Sequence, residues 1–193
     1  MDNIGQIGVE DTFEFKFARD LIRYVVERRM EGLNWIPTGI FEKTNLSECL
    51  DSPFTPQMKK AVNKKLNLYE NLYHRQYDSY FADERITEKS HKKICRELAE
   101  IILGKEFNVK NFFTFCVILA KYAGYSYLYG VRSSAEDACK TIIDIIRSMK
   151  AKSIITDSFW TEMQNFAENP DLTDDPQEYF SESESTETAD EFE

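Results

Sequence analysis

Two histidines, four cysteines and a ladder of tyrosines are the residues of this 193-residue chain whose types and spacing invite a chemical reading. His74 and His91 fall on charged helical faces, and neither has a second ligand at i+4, so the paired imidazoles of a helical metal site are missing. Cys49, Cys95, Cys116 and Cys139 stand 46, 21 and 23 residues apart, which fits neither a CxxC pair nor a zinc-ligand spacing. The last three fall in helical patterns and read as small buried hydrophobes in a reducing compartment. Glu97 and Glu100 form a carboxylate pair on a polar surface, where solvated charge is the usual role. The chain has no HExxH, no glycine-rich phosphate loop and no GxSxG, and its seven glycines fall mostly where helices end. The expectation is a non-enzymatic protein with no metal and no cofactor.

The tyrosines carry more information. Tyr69, Tyr73, Tyr77 and Tyr80 continue a stripe that begins at Met58, Val62 and Leu66, with successive steps of 4, 4, 3, 4, 4 and 3 residues. No other stretch keeps a helical period so long, and it puts four hydroxyls along a single edge. Core packing accounts for the bodies of those rings. The choice of Tyr over Leu or Phe fits a groove with one wet edge, because a fully buried phenol needs a hydrogen-bond partner. Both readings stand open on spacing alone. A groove of this kind accepts an amphipathic partner helix through anchors at i, i+3 or i+4, and i+7.

Such a stripe needs an apolar element behind it, and the run Phe112 to Gly130 is apolar on nearly every side. A helix of that kind belongs at the centre of a bundle. Lys121, four tyrosines and flanks without a basic cluster argue against a membrane span, which wants roughly 20 predominantly apolar residues. The other helical signals are amphipathic. Phe13, Phe17, Leu21, Tyr24 and Val25, widened by Ile22 and Val26, predict a first helix over Thr12 to Glu31 with Gly32 as its stop. Residues 33–55 read as a loop, and Thr55 with Pro56 as the cap and first turn of the tyrosine-striped helix. Ile94, Leu98, Ile101 and Ile102 define a helix ended by Gly104, and Asn108 is placed to cap the central one. Ser133 with Glu136 reads as a capping box ahead of Ala138, Ile142, Ile145 and Met149. A shorter helix carries Phe159, Met163 and Phe166, and Asn169 with Pro170 marks the end of the fold. No alternating strand and no internal repeat appears, so the chain reads as all-α, with a central apolar helix at about 108–130 wrapped by amphipathic ones.

At this length the chain fits one domain that buries about 70% of its unfolded surface. The net charge of -10 arises in residues 169–193, which hold ten acids and no Lys or Arg; without them 24 acids face 24 bases. The folded part carries no field that predicts nucleic-acid binding. The organisation expected is a flexible N-terminus at 1–11, a helical domain at 12–168 and a disordered, solvated acidic tail at 169–193. The N-terminus lacks the basic start and apolar stretch of a signal peptide, which places the protein in the cytosol.

The order of segments resembles the Bcl-2 family of apoptosis regulators over residues 13–168. Leu21-Ile22-Arg23-Tyr24-Val25-Val26 leading to Gly32-Leu33-Asn34-Trp35 looks like the family's fourth homology region with its Gly-x-x-Trp ending. Val62, Leu66, Asn67 and Tyr69 fall on the third region, with Val62 in place of the usual Leu and Asn67 in place of the usual Asp. Tyr73, Tyr77, Tyr80 and Ile86-Thr87 continue in the family's spacing. Phe107 to Phe113 stands where the first region has an Asn-Trp-Gly-Arg core, of which only Asn108 survives intact. Asp157-Ser158-Phe159-Trp160 with Met163 and Phe166 is placed like the second region, without its paired glycines.

The resemblance implies a surface groove between the family's second, fourth and fifth helices that binds the amphipathic death-motif helix of pro-apoptotic relatives. Carried over by position, Tyr69, Tyr73, Tyr77 and Tyr80 line it on one side, and Leu98, Ile102, Phe113 and Ile118 on the other. Asn111 stands where the family's arginine pairs with the ligand's aspartate, and an amide cannot make that charge-assisted bond. The loss costs roughly 1.5 to 3 kcal/mol, or about ten- to a hundredfold in affinity. Lys110 supplies a substitute cation if its side chain turns inward; otherwise it is a solvated first-turn lysine. The function implied is a survival-promoting protein, cytoplasmic or recruited to the mitochondrial outer membrane, without a transmembrane anchor in this chain, and compatible with a homodimer. Alternatives are a pro-apoptotic or immune-modulating relative with an altered groove, and a helical scaffold whose acidic tail docks a basic partner.

Overall fold

The computed structural model describes residues 12–30, 32–42 and 51–172. Cys49, the N-terminal residues 1–11 and the acidic residues 173–193 lie outside the described residues. Among the described residues there are six α-helices: α1 (Phe13–Arg28), α2 (Pro56–Tyr80), α3 (Glu88–Gly104), α4 (Val109–Leu128), α5 (Ser134–Ala151) and α6 (Phe159–Glu168). No strand occurs among the described residues, and the chain is an all-α bundle.

Helix α4 is the axis of the bundle. Every residue from Phe112 to Tyr127 is buried, and α1, α2, α3, α5 and α6 all pack against it. An all-round apolar surface forces this position, because any exposed face would leave large side chains in water. Gly124 is the one glycine inside this helix. A Cβ there would come within 2.7 Å of Met30 Cγ, so its absence lets the chain after α1 lie flat on the helix. No helix among the described residues is long and apolar enough to cross a membrane.

The local signals mostly act as the sequence suggests. Thr12 caps α1 by accepting from the Phe15 N–H, and Thr55 caps α2 by accepting from the Met58 N–H with Pro56 following. Asn108 Oδ1 accepts from the N–H groups of Lys110 and Asn111 at 2.8 and 3.3 Å. Two expectations need correction. Helix α1 stops at Arg28, short of Glu31, and Met30 then folds onto the core. The Ser133–Glu136 capping box does not form, because Ser133 already has helical angles (φ -79, ψ -6) and its hydroxyl turns to Asp137. Glu136 instead accepts the Ile40 N–H from a 3-10 turn at Gly39–Phe41, and a capping box closes at Thr87 and Ser90. The loop before α2 is not merely a connection either, since Phe41 and Phe54 are core residues.

Candidate functional site

The tyrosine stripe divides along its length. Tyr73 and Tyr77 are fully buried, whereas Tyr69 and Tyr80 are partly buried at its two ends. The expected edge of four accessible hydroxyls is therefore corrected to two. The rings separate by what they meet: Tyr77 packs on Tyr122 and Tyr125 of α4, whereas Tyr69 turns its hydroxyl to Leu172 and Tyr80 to Glu97. Leu98, Ile102, Phe113 and Ile118 are buried in the core cluster, with the Phe113 ring covered by Phe166 of α6 at 5.3 Å.

Tyr77 survives burial because its hydroxyl has a partner. It lies 2.8 Å from Ser126 Oγ, which lies 2.8 Å from His91 Nδ1; His91 Nε2 is 3.1 Å from the Ser134 carbonyl oxygen. Proton bookkeeping orients the chain. The carbonyl only accepts, so Nε2 carries the imidazole proton; Nδ1 then accepts from Ser126, and Ser126 in turn accepts from Tyr77. Burial pushes the His91 pKa down from 6.5, which keeps the ring neutral, and it pushes the Tyr77 phenol up. His91 is thus fully buried, in contrast to the charged face expected for it. Its position follows from α3 pairing with α5, where Ser134 supplies both the acceptor for His91 and a hydroxyl bond to the Ala123 carbonyl. Both the serine and the histidine are buried with no open face, and the cluster ties α2, α3, α4 and α5 together.

His74, in contrast, is exposed, stacks on Tyr125 at 4.9 Å and pairs with Asp78. Cys95, Cys116 and Cys139 are buried free thiols, and burial pushes Cys95 and Cys139 up to about 12, so they are inert. Lys121, deep in α4, donates to the Arg29 carbonyl at 2.6 Å and pairs with Glu70, which satisfies a charge that the apolar run would otherwise strand. No group of three or more His, Cys, Asp or Glu able to hold a metal occurs among the described residues.

The two outer tyrosines of the stripe meet different partners. Tyr80 closes the α2–α3 side by donating to Glu97 Oε2 at 2.5 Å. At the rim between α2 and α4, Tyr69 Oη donates to the Leu172 carbonyl oxygen at 2.7 Å, and Lys110 Nζ pairs with Asp171 Oδ2 at 3.0 Å. Leu172 is 3% exposed. The Lys110 side chain is 15% exposed, so it is not a solvated first-turn lysine. The neighbouring Asn111 contributes its N–H to the Asn108 cap and is partly buried. The packed chain consequently runs past Asn169 and Pro170, which the sequence marks as its end. A hollow of about 280 Å³ between Lys60, Lys64, Ala167 and Pro170 flanks this segment.

Sequence reasoning missed two things: the His91 cluster and the seat for Leu172. Ser126 and Ser134 give no periodic signal, and Leu172 is an isolated apolar residue in an acidic context. Comparison with protein-family models, with curated proteins and with solved structures finds no match to this chain.

Proposed function

We propose that this protein is a non-enzymatic regulator that binds an amphipathic helix bearing an aspartate beside an apolar anchor, at the rim formed by Tyr69 and Lys110. It acts in the manner of a survival-promoting Bcl-2-like protein. The observation that carries the reading is the pair of residues already held there: an aspartate on Lys110 and a buried leucine whose carbonyl is bound by Tyr69. That is the chemistry a death-motif helix presents, one carboxylate next to apolar side chains. Lys110 takes over the role that the resemblance gives to an arginine at position 111. The ordered succession of five helices around α4 supports the same reading, as does the cap that Asn108 places on α4 just before Lys110.

A lysine gives a point charge where arginine gives a bidentate fork, so binding is weaker and less selective than with arginine at that place. Calorimetric titration of the full chain against a panel of death-motif peptides tests the proposal. Binding by at least one peptide, lost when its aspartate is changed to alanine, is the expected result; no binding by any peptide removes the proposal. Protection or killing of cells given a death stimulus then separates a survival-promoting protein from its pro-apoptotic alternative.

A further inference from the structure

We propose that the outward face of α2 is a second docking surface, one that takes an acidic amphipathic helix of a partner protein. It lies a face round the helix from Tyr69 and does not depend on the function proposed above.

Helical spacing puts Gln57, Lys60, Lys64, Leu68, Asn71 and Arg75 on one face of α2, and all six are exposed. The charges on this face work against the helix. No acid stands in its first turn, so Lys60 lies toward the positive end of the helix dipole uncompensated, and Lys64 repels it from one turn further on. Elsewhere cations are matched: Arg23 pairs with Glu27, Lys93 with Glu84 and Lys140 with Glu136, whereas Lys60, Lys64 and Arg75 form no ion pair among the described residues. A local rule broken without a gain inside the fold is expected where a surface serves a partner. The partner that relieves it is acidic.

The same face carries two apolar positions. Helix α6 packs against α2 and leaves the hollow of about 280 Å³, floored by the buried Ala61 and Ala167 and bounded by Pro170, Lys60, Lys64 and Glu168. Leu68 lies two turns further on, about 10 Å from Ala61 along the axis, and is 59% exposed. An amphipathic helix presents its residues i and i+7 at the same separation. One anchor then enters the hollow and the other covers Leu68, while acids at i+3 and i+4 fall between them, beside Lys60 and Lys64. Glu168 on the α6 rim repels those acids and turns them toward α2. A bilayer suits this face less well, because Leu68 is its one large exposed apolar side chain among the described residues.

The test titrates the full chain with a fluorescein-labelled helical peptide carrying leucines at i and i+7 and glutamates at i+3 and i+4, read by anisotropy. Lys60→Glu/Lys64→Glu is expected to weaken binding by at least about tenfold, and Leu68→Ser by about fivefold. A second peptide with lysines in place of the glutamates recovers binding to the charge-reversed protein, which separates a lost contact from a lost fold. No binding of the first peptide by the wild type would overturn the inference, and so would equal binding by the charge-reversed variant. Phosphatidylserine vesicles are the competing occupant: a wild type that binds them through Lys60 and Lys64 but not the peptide would assign the face to a membrane and overturn the partner reading.

Discussion

Two tyrosines of one stripe behave oppositely. At Tyr77 the hydroxyl enters a closed chain of neutral partners, Ser126, His91 and Ser134, with no exposed atom among them. At Tyr69 the hydroxyl meets a backbone carbonyl of a short strap beside a screened ion pair. The same side chain on the same helix serves stability in one place and, in the function proposed above, recognition in the other. Saturated and dry means structural, because every donor has one fixed acceptor and no ligand can compete. Charged and rim-placed is the setting that the proposed function requires.

If that division is right, mutations at the two ends have unequal costs. His91→Ala leaves a cavity and orphans the Ser126 hydroxyl and the Ser134 carbonyl, so it lowers unfolding free energy by about 3 kcal/mol. Lys110→Ala at the rim costs under about 1 kcal/mol. Urea denaturation measures both, and equal losses would break the comparison.

Titration sharpens it. His91 has its pKa lowered by burial, so between its ordinary 6.5 and its folded value the unfolded chain binds the extra proton. The sign follows: the stability contributed by the neutral ring is complete above about pH 6.5 and is lost as pH falls below it. Going from pH 7.5 to 5.5 therefore lowers stability through this residue. Asp137 and Lys92, the nearest charges, act on the ring in opposite directions. Denaturation midpoints of the wild type and of His91→Gln at the two pH values check this, since the variant loses that component of the slope.

Smaller effects separate the two phenols. Tyr77→Phe removes one buried donor while Ser126 keeps its bond to His91, for a loss of about 1 kcal/mol. Tyr69→Phe removes the donor to Leu172, whose carbonyl turns to water, for about 0.5 kcal/mol. Thermal melts of the pair distinguish these values, and a larger loss at Tyr69 would mean that the strap belongs to the core.

Most of the fold was legible from periodicity and end signals. The apolar run 112–130 required a central helix, Thr55-Pro56 and Asn108 announced helix starts, and the tyrosine steps traced α2 to its last residue. What escaped has a common cause: contacts between elements far apart in the chain. Ser126 reaches His91 across 35 residues and Tyr69 reaches Leu172 across 103, and neither leaves a local pattern. Spacing predicted that Tyr73 and Tyr77 share a face with Tyr69, but not that Tyr77 would pack on Tyr122 and Tyr125 while Tyr69 turned to Leu172. Lys110 was singled out as a substitute cation; that its partner here is an aspartate of the same chain required the structure.

The central claim is that the Lys110 charge and the Tyr69 rim recognise a carboxylate next to an apolar anchor. Charge reversal tests it most directly: Lys110→Glu in the full chain, titrated with a death-motif peptide that the wild type binds and with the same peptide carrying lysine in place of its aspartate. Weakening of the first by about tenfold or more, with recovery by the second, is the predicted result. Unchanged binding of the original peptide to the Lys110→Glu protein would contradict it.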